Sequence, residues 1–338
     1  AKLVSGFGSI LGDSTLTEVF MSTPYIPTQF HNDSLFHGYK QFSNHFEPED
    51  GVLRVAMQGQ PMPCFSLALL EEVRNIQCHI EASGGMIAWQ GELHRLNFIV
   101  LESKVPGVFN LGGDIALFRR LIEARDRFGL SRYARLCIDV CHHNIVHYNL
   151  PCQTISLVTG KALGGGMESA LSSHVVIAEK SAEFGLPEVL FNLFPGMGAW
   201  NLISRRVGSR LAEEIITSGR SYTGEELHRL GLVDVLADDG QGEQALRDYL
   251  RGARRKQKTL NALARVREAM SPISHDDLAK IIDIWVDAAF GLDARDLKMM
   301  ERLVKAQSRA FSRPDALTQA NAGDLTRSTP LPLAQVTE

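Results

Sequence analysis

Glu168 and Glu188 are the residues of this chain whose setting most plainly allows chemistry. Glu168 closes the run Gly160-Lys-Ala-Leu-Gly-Gly-Gly-Met-Glu168. Glu188 closes Phe184-Gly-Leu-Pro-Glu188 and is followed by the apolar Val189, Leu190 and Phe191. A carboxyl moved out of water loses the hydration of its anion, so its pKa rises toward the range where it can give and take protons near neutrality. Two such groups at one point can protonate one atom of a substrate while deprotonating another. The glycines supply the complement. Gly164, Gly165 and Gly166 read as a turn opening a helix, where the first N–H groups lack intrahelical partners and sit at the positive end of the dipole. Gly112-Gly113-Asp114 has the same form. Backbone N–H groups of Gly113 and Gly165 converging on one thioester oxygen would make an oxyanion hole, and glycine there leaves room for the acyl group. Either turn alone also fits a plain strand-to-helix connection, and Glu168 alone fits an acidic residue facing a helix dipole.

The turns need strands to feed them and helices to receive them. Residues 52–57, 96–101, 154–158, 175–178 and 232–236 are rich in bulky and β-branched side chains and read as strands. Helices are predicted over 66–82, from Ile115 with Phe118, Leu121 and Ile122 on one side, over about 131–148, and after the triple glycine. This alternation predicts an α/β arrangement with crossover connections. Later, Ser209 and Ser274 are candidate N-caps, Thr223 and Glu226 form a capping box, and 294–311 reads as a helix. The chain divides into a weakly patterned extension (1–48, with Phe30, Phe36 and Phe42), a core (49–250), a helical region (251–312) and a tail (313–338) whose prolines and small polar residues predict mobility.

Composition narrows the class. A net charge of −4 argues against a general nucleic-acid binder. No apolar run approaches the ~20 residues of a membrane span. The first residues, with one lysine and no long apolar stretch, make a poor signal peptide, and the five cysteines read as reduced thiols, so a cytoplasmic location is expected. Cys137, Cys141, His142, His143 and His147 invite a zinc reading, but they fall on one predicted helix without paired CxxC spacing, so no metal is expected. Between 247 and 267, Arg247, Arg251, Arg254, Arg255, Lys256, Lys258, Arg265 and Arg267 face only Asp248. That run is either a solvated helix face or a dock, at Arg251, Arg254, Arg255, Lys256 and Lys258, for an acidic carrier protein or coenzyme A phosphates.

At its motifs the chain resembles the crotonase (enoyl-CoA hydratase) superfamily. The likeness rests on Phe109-Asn-Leu-Gly-Gly-Asp-Ile115, on Gly-Gly-Gly-Met-Glu168 and on Gly185-Leu-Pro-Glu188, in that order. It implies a spiral of ββα units followed by a helical trimerisation region, with Gly113 and Gly165 as the oxyanion hole and Glu168 and Glu188 as the acid/base pair. Within the superfamily the chain is similar to the diffusible signal factor synthases. That likeness runs through Phe109–Phe118, Ala162–Leu171, Gly185–Gly198, Ile284-Trp-Val-Asp287 and Arg302–Arg309. Members are described as dehydrating 3-hydroxyacyl groups on acyl carrier protein and then hydrolysing the thioester, to give cis-2-unsaturated fatty acids for bacterial signalling. The resemblance implies no cofactor beyond the carrier protein or coenzyme A that bears the substrate, a homotrimer or dimer of trimers, and a two-component sensor kinase as partner. Met197 and Trp285 match acyl-pocket positions of that family. Leu163, Met167, Phe191, Phe194 and Trp200 join them as candidate pocket residues, with hydrophobic core as the alternative for Phe191, Phe194 and Trp200.

Overall fold

The computed structural model describes residue 36 and residues 38–311, with side chains to residue 307. The tail expected over 313–338 and most of the N-terminal stretch lie outside the described residues.

Strand β1 (Phe42–Glu47) pairs antiparallel with β2 (Val52–Met57), and helix α1 (Leu67–Ala82) follows, capped by the Ser66 hydroxyl, which accepts from Leu69 N–H at 3.2 Å. A hairpin, β3 (Met86–Trp89) and β4 (Glu92–Arg95), precedes three steps of one pattern. In the first, β5 (Phe98–Ser103) leads to β6 (Val108–Asn110) and helices α2 (Ile115–Glu123) and α3 (Arg127–Ile145). In the second, β7 (Gln153–Val158) leads to β8 (Lys161–Leu163) and α4 (Gly165–Ser172). In the third, β9 (Val175–Glu179) leads to β10 (Glu183–Gly185), a 3-10 turn (Pro187–Phe191) and α5 (Ala199–Val207). The first strand of each step joins a six-stranded sheet, order β1-β2-β5-β7-β9 with β12 (Val235–Ala237) at the far edge. The second joins a four-stranded sheet, order β11 (Ser221–Thr223), β10, β8, β6. This is the expected spiral of β-β-α units. Helices α6 (Ser209–Ser218), α7 (Gly224–Leu230), α8 (Gly242–Arg254), α9 (Gln257–Met270), α10 (His275–Phe290) and α11 (Ala294–Phe311) complete the described chain.

The large sheet is parallel from β2 to β12 and buried on both faces, which is why its strands read as apolar runs without alternation. One face carries Leu53, Val55, Ile99 and Val176 against α1, α3 and α4. The other carries Val52, Phe98, Val100, Ile155 and Ile177 against Leu246, Leu250 and Ala253 of α8.

One expectation changes. The extension does not run to residue 48: Phe42 and Phe46 are buried and β1 is an edge strand of the main sheet, in register Phe42↔Met57. Its sequence, FSNHFE, carries only these two apolar residues, too few for a period to be read. The cysteines and histidines of residues 137–147 point to different surroundings, and His147 lies beyond the helix that ends at Ile145. Cys137 and Cys141 pack into the core, His143 reaches Asp139 O and Glu81, and His147 turns the other way toward His174. Among the described residues no three His, Cys, Asp or Glu side chains form a set that could hold a metal ion. Also among them, no helix is long and apolar enough to cross a membrane.

Candidate active site

The small sheet explains how distant motifs meet. Strands β6, β8 and β10 run parallel and side by side, so their carboxyl ends reach one edge together. Just beyond β6 stand Gly112 and Gly113. Just beyond β8 stand Gly164 and Gly165, followed by Glu168 in the first turn of α4. Just beyond β10 stands Glu188. Ligands of open α/β sheets gather at such strand ends.

Each turn is tied down. Gly112 N–H donates to Asn110 Oδ1 (2.8 Å), and Gly112 O accepts from Phe65 N–H (2.7 Å). Gly164 N–H donates to Gly185 O (2.8 Å), which locks the second turn to β10. Gly164 has φ +52°, a backbone region that side chains rarely occupy, and a Cβ there would lie 2.4 Å from Glu188 Oε1. A Cβ on Gly165 would lie 3.5 Å from Gly113 N, so the two turns abut. As the first residue of α4, Gly165 has an N–H that points off the helix end without an intrahelical partner.

Glu168 is 1% exposed, and its Oε1 accepts from Met197 N–H (2.8 Å) and Ala199 N–H (2.9 Å). Glu188 is half-buried, with Oε2 inside the protein and without a hydrogen-bond partner. Burial pushes both carboxyls above the ordinary carboxylate range. The charge of Glu188 adds to the rise at Glu168, and the two backbone N–H groups act against it. Both carboxyls line one cavity of about 50 Å³, together with Gly113, Gly164 and Gly165. Its remaining wall is mostly apolar, built by Leu111, Phe118, Phe191, Met197, Ile282 and Trp285 among others. Two carboxyls with raised pKa values and two glycine turns in a mostly apolar pocket are an arrangement that could polarise a carbonyl and move protons at the neighbouring carbons.

Of the candidate pocket residues, Phe191, Met197 and Trp285 line this cavity. Four other candidates do not. Met167 is fully buried on the inner side of α4, and Leu163 is half-buried in β8. Phe194 packs on the main core, and Trp200 is 45% exposed on α5. An apolar residue next to a motif in sequence can face away from it, because helix and strand periods turn neighbours to different sides. The basic run is also displaced. Arg251 and Arg254 extend from α8, which covers the other face of the large sheet; Arg251 pairs with Asp248, Arg254 with Asp50, and with Arg255 they line a separate hollow. Within one chain the fold does not bring Arg251, Arg254, Arg255, Lys256 and Lys258 to the cavity. Sequence reasoning missed Tyr133 and Phe118 in the wall. Both sit in amphipathic helices, where a core residue and a site residue look alike.

The profile of the enoyl-CoA hydratase/isomerase family matches residues 92–288, and the chain belongs to that family. Mouse (Mus musculus) mitochondrial methylglutaconyl-CoA hydratase is 33% identical over 161 residues, 47% of this chain and 49% of that protein. Human (Homo sapiens) mitochondrial enoyl-CoA hydratase domain-containing protein 2 is 34% identical over 155 residues, 46% of this chain and 51% of that protein. The chain thus spans about half the length of the curated relatives it matches. A crystal structure of an enoyl-CoA hydratase/isomerase from Xanthobacter autotrophicus Py2 superposes with a TM-score of 0.63 at 22% identity, over 85% of this chain and all of that one, and shares the fold.

Proposed function

We propose that this chain dehydrates 3-hydroxyacyl thioesters to 2-enoyl thioesters and then hydrolyses the thioester, releasing a 2-unsaturated fatty acid as a bacterial signal. One observation carries the acid/base part: Glu168 and Glu188 share a mostly apolar cavity with Gly113 and Gly165, whose N–H groups we assign as the oxyanion hole. In dehydration, one glutamate takes the C2 proton, the oxyanion hole stabilises the thioester enolate, and the other glutamate protonates the C3 hydroxyl, which leaves as water. In hydrolysis, a glutamate takes a proton from water, whose oxygen adds to the carbonyl carbon. The hole holds the tetrahedral oxyanion, the C–S bond breaks, and the thiol leaves protonated. The signal-forming step and the acyl carrier protein rest on the likeness of residues 109–118, 162–171 and 185–198 to the signal synthases. Phe191, Met197 and Trp285 in the cavity wall would meet the acyl chain and set its length, Met197 adapting most readily. Helix α9 leaves Leu263, Val266 and Met270 exposed at helical spacing, which suits the proposed trimer.

The second reading is a hydratase of enoyl-CoA, favoured by the names of the curated relatives. The test is incubation with 3-hydroxydodecanoyl carrier protein and, separately, with crotonyl-CoA. Free 2-dodecenoic acid detected by mass spectrometry supports the first reading. Reversible hydration of crotonyl-CoA without any free acid replaces it with the second. Tight acyl binding without turnover of either substrate leaves a non-catalytic scaffold. Size-exclusion chromatography with light scattering tests the trimer.

A further inference from the structure

Gly113 can serve as an oxyanion donor only if its N–H is aimed into the cavity, and its own residue offers nothing to aim it. A trans peptide points its C=O and N–H in opposite directions. The bond from Phe65 N–H to Gly112 O therefore turns the Gly113 N–H away from Phe65. Phe65 and Gly113 form an isolated parallel bridge. Such a bridge sets Asp114 N–H toward Phe65 O. A side chain joins these two groups. Asp114 N–H donates to the Tyr133 hydroxyl at 3.1 Å, and the hydroxyl in turn donates to Phe65 O.

We infer that Tyr133 is a positioning residue of the oxyanion hole, its hydroxyl inserted as a rung between Phe65 and Asp114 to set the direction of the Gly113 N–H. The inference rests on the acyl-thioester reading above and names a residue that sets the aim of that site. Tyr133 holds both peptides that flank Gly113: the one after it directly through Asp114 N–H, and the one before it through Phe65. Its ring is 1% exposed and fixed on α3, with Phe118 edge-on at 5.1 Å and Trp285 edge-on to Phe118 at 5.2 Å. Phe118 closes the other side of the turn, where a Cβ on Gly113 would lie 2.4 Å from its ring. Burial holds the Tyr133 hydroxyl protonated well above its usual range, so it stays a donor at any working pH.

Removing the hydroxyl leaves Asp114 N–H and Phe65 O free to bond each other directly, which shifts the Gly113–Asp114 peptide. For Tyr133→Phe we expect kcat to fall ~10- to 100-fold with KM within about threefold, less than the outright loss of a donor. Two measurements on the full chain decide it: steady-state kinetics with the productive substrate found above, and the infrared carbonyl stretch of bound butyryl-CoA isotope-labelled at the thioester carbonyl. The wild type should lower that frequency and Tyr133→Phe should lose most of the shift. Replacing Tyr133 with 4-aminophenylalanine, which keeps a donor and an acceptor in place, should restore both. A Tyr133→Phe protein that keeps both rate and shift, or loses only thermal stability, overturns the inference, as does a wild type with no shift. A shift present in the wild type and lost in Tyr133→Phe, with no turnover of any thioester, overturns the proposed function and leaves the role of Tyr133 standing. Should the phenylalanine variant not fold, 3-fluorotyrosine at position 133 alters only the strength of the hydroxyl's hydrogen bonds, and a carbonyl shift identical to the wild type then overturns the inference.

Discussion

Glu168 with Glu188 and His147 with His174 are two pairs of ionisable side chains drawn largely out of water, and they face opposite fates. Glu168 and Glu188 stand at the ends of β8 and β10. His147 and His174 stack at 3.6 Å between ring centroids, their Nδ1 atoms 2.8 Å apart. Burial drives each pair toward its uncharged form, raising the carboxyls and lowering the imidazoles. Each pair has a buried atom without a hydrogen-bond partner, Glu188 Oε2 and His147 Nε2. Each borders a cavity, and the one beside His147, about 400 Å³, is the larger. A perturbed pKa, an unpaired atom and a hollow therefore do not make an acyl-transfer site by themselves. The difference lies in the backbone. Two glycine turns, at Gly113 and at Gly164-Gly165, border the cavity beside the glutamates. Around the histidines the backbone is spent on its own turn: His147, Tyr148 and Asn149 all have positive φ, His174 N–H donates to Thr154 Oγ1, and Arg206 takes up Ser173 O and His174 O.

Glu168→Gln and Glu188→Gln should break the contrast hardest. Each should cut turnover by ~10²- to 10⁴-fold, the usual worth of a positioned acid or base. Neither should unfold the protein. Their native pKa values lie above that of a free glutamate, so the native state binds these protons more tightly than the unfolded chain. Stability is then lost as pH rises from the ordinary carboxylate value through the raised one. The glutamine variants lack this loss, so their melting temperature should match or exceed the wild type at neutral pH and approach it near pH 4. Full activity in either variant would dissolve the pairing. The same shift predicts that the acidic limb of the kcat/KM profile lies above the carboxylate range of ~4, measured from pH 4 to 9.

Gly164→Ala should come next. Its Cβ would meet Glu188 Oε1 at 2.4 Å from a backbone with φ +52°. We expect a loss of ~1–3 kcal/mol in stability from the strain and on the order of 10²-fold in turnover from displacing Glu188. Gly240→Ala, also at positive φ (+77°) but with nothing within 4 Å of its Cβ, should share the strain alone and keep the rate. Denaturant melts and kinetics on the two variants separate the terms.

How much of this was legible in the sequence follows from what each residue needs. Strands β2, β5, β7 and β9 and helices such as α1 were readable, since each carries several apolar residues, whereas β1 carries two and β12 begins only at Val235. Strand 96–101 appeared two residues early, because Leu96 and Asn97 belong to the approach to β5. The small sheet was invisible: β6, β8 and β10 have three residues each, too few for any period. Yet that sheet is what gathers the site. Its candidate residues stood out regardless, because glycine and glutamate in an apolar run mark themselves by type. Tyr133 was not found, because its role depends on where a hydroxyl ends, which no spacing within α3 records.

The smallest effect on turnover should come from the histidines. His147→Gln and His174→Gln each disturb a buried hydrogen bond near the end of α3, and neither histidine lines the cavity that holds the glutamates. Activity should stay within about twofold, while stability falls by ~1–3 kcal/mol, the cost of disturbing buried polar partners. The pH dependence has the opposite sign to that of the glutamates. Both imidazoles have native pKa values below the free value of 6.5, so below that pH the unfolded chain takes up protons that the native state refuses. Each histidine should therefore cost the wild type on the order of 1 kcal/mol of stability per pH unit as pH falls below 6.5, a loss fully absent above it. Replacing either histidine should flatten that slope between pH 6.5 and 5, and replacing both should remove more. If instead the histidine variants lose turnover with unchanged melts, the cavity beside His147 belongs to the chemistry, and backbone donors are not what sets the two pairs apart.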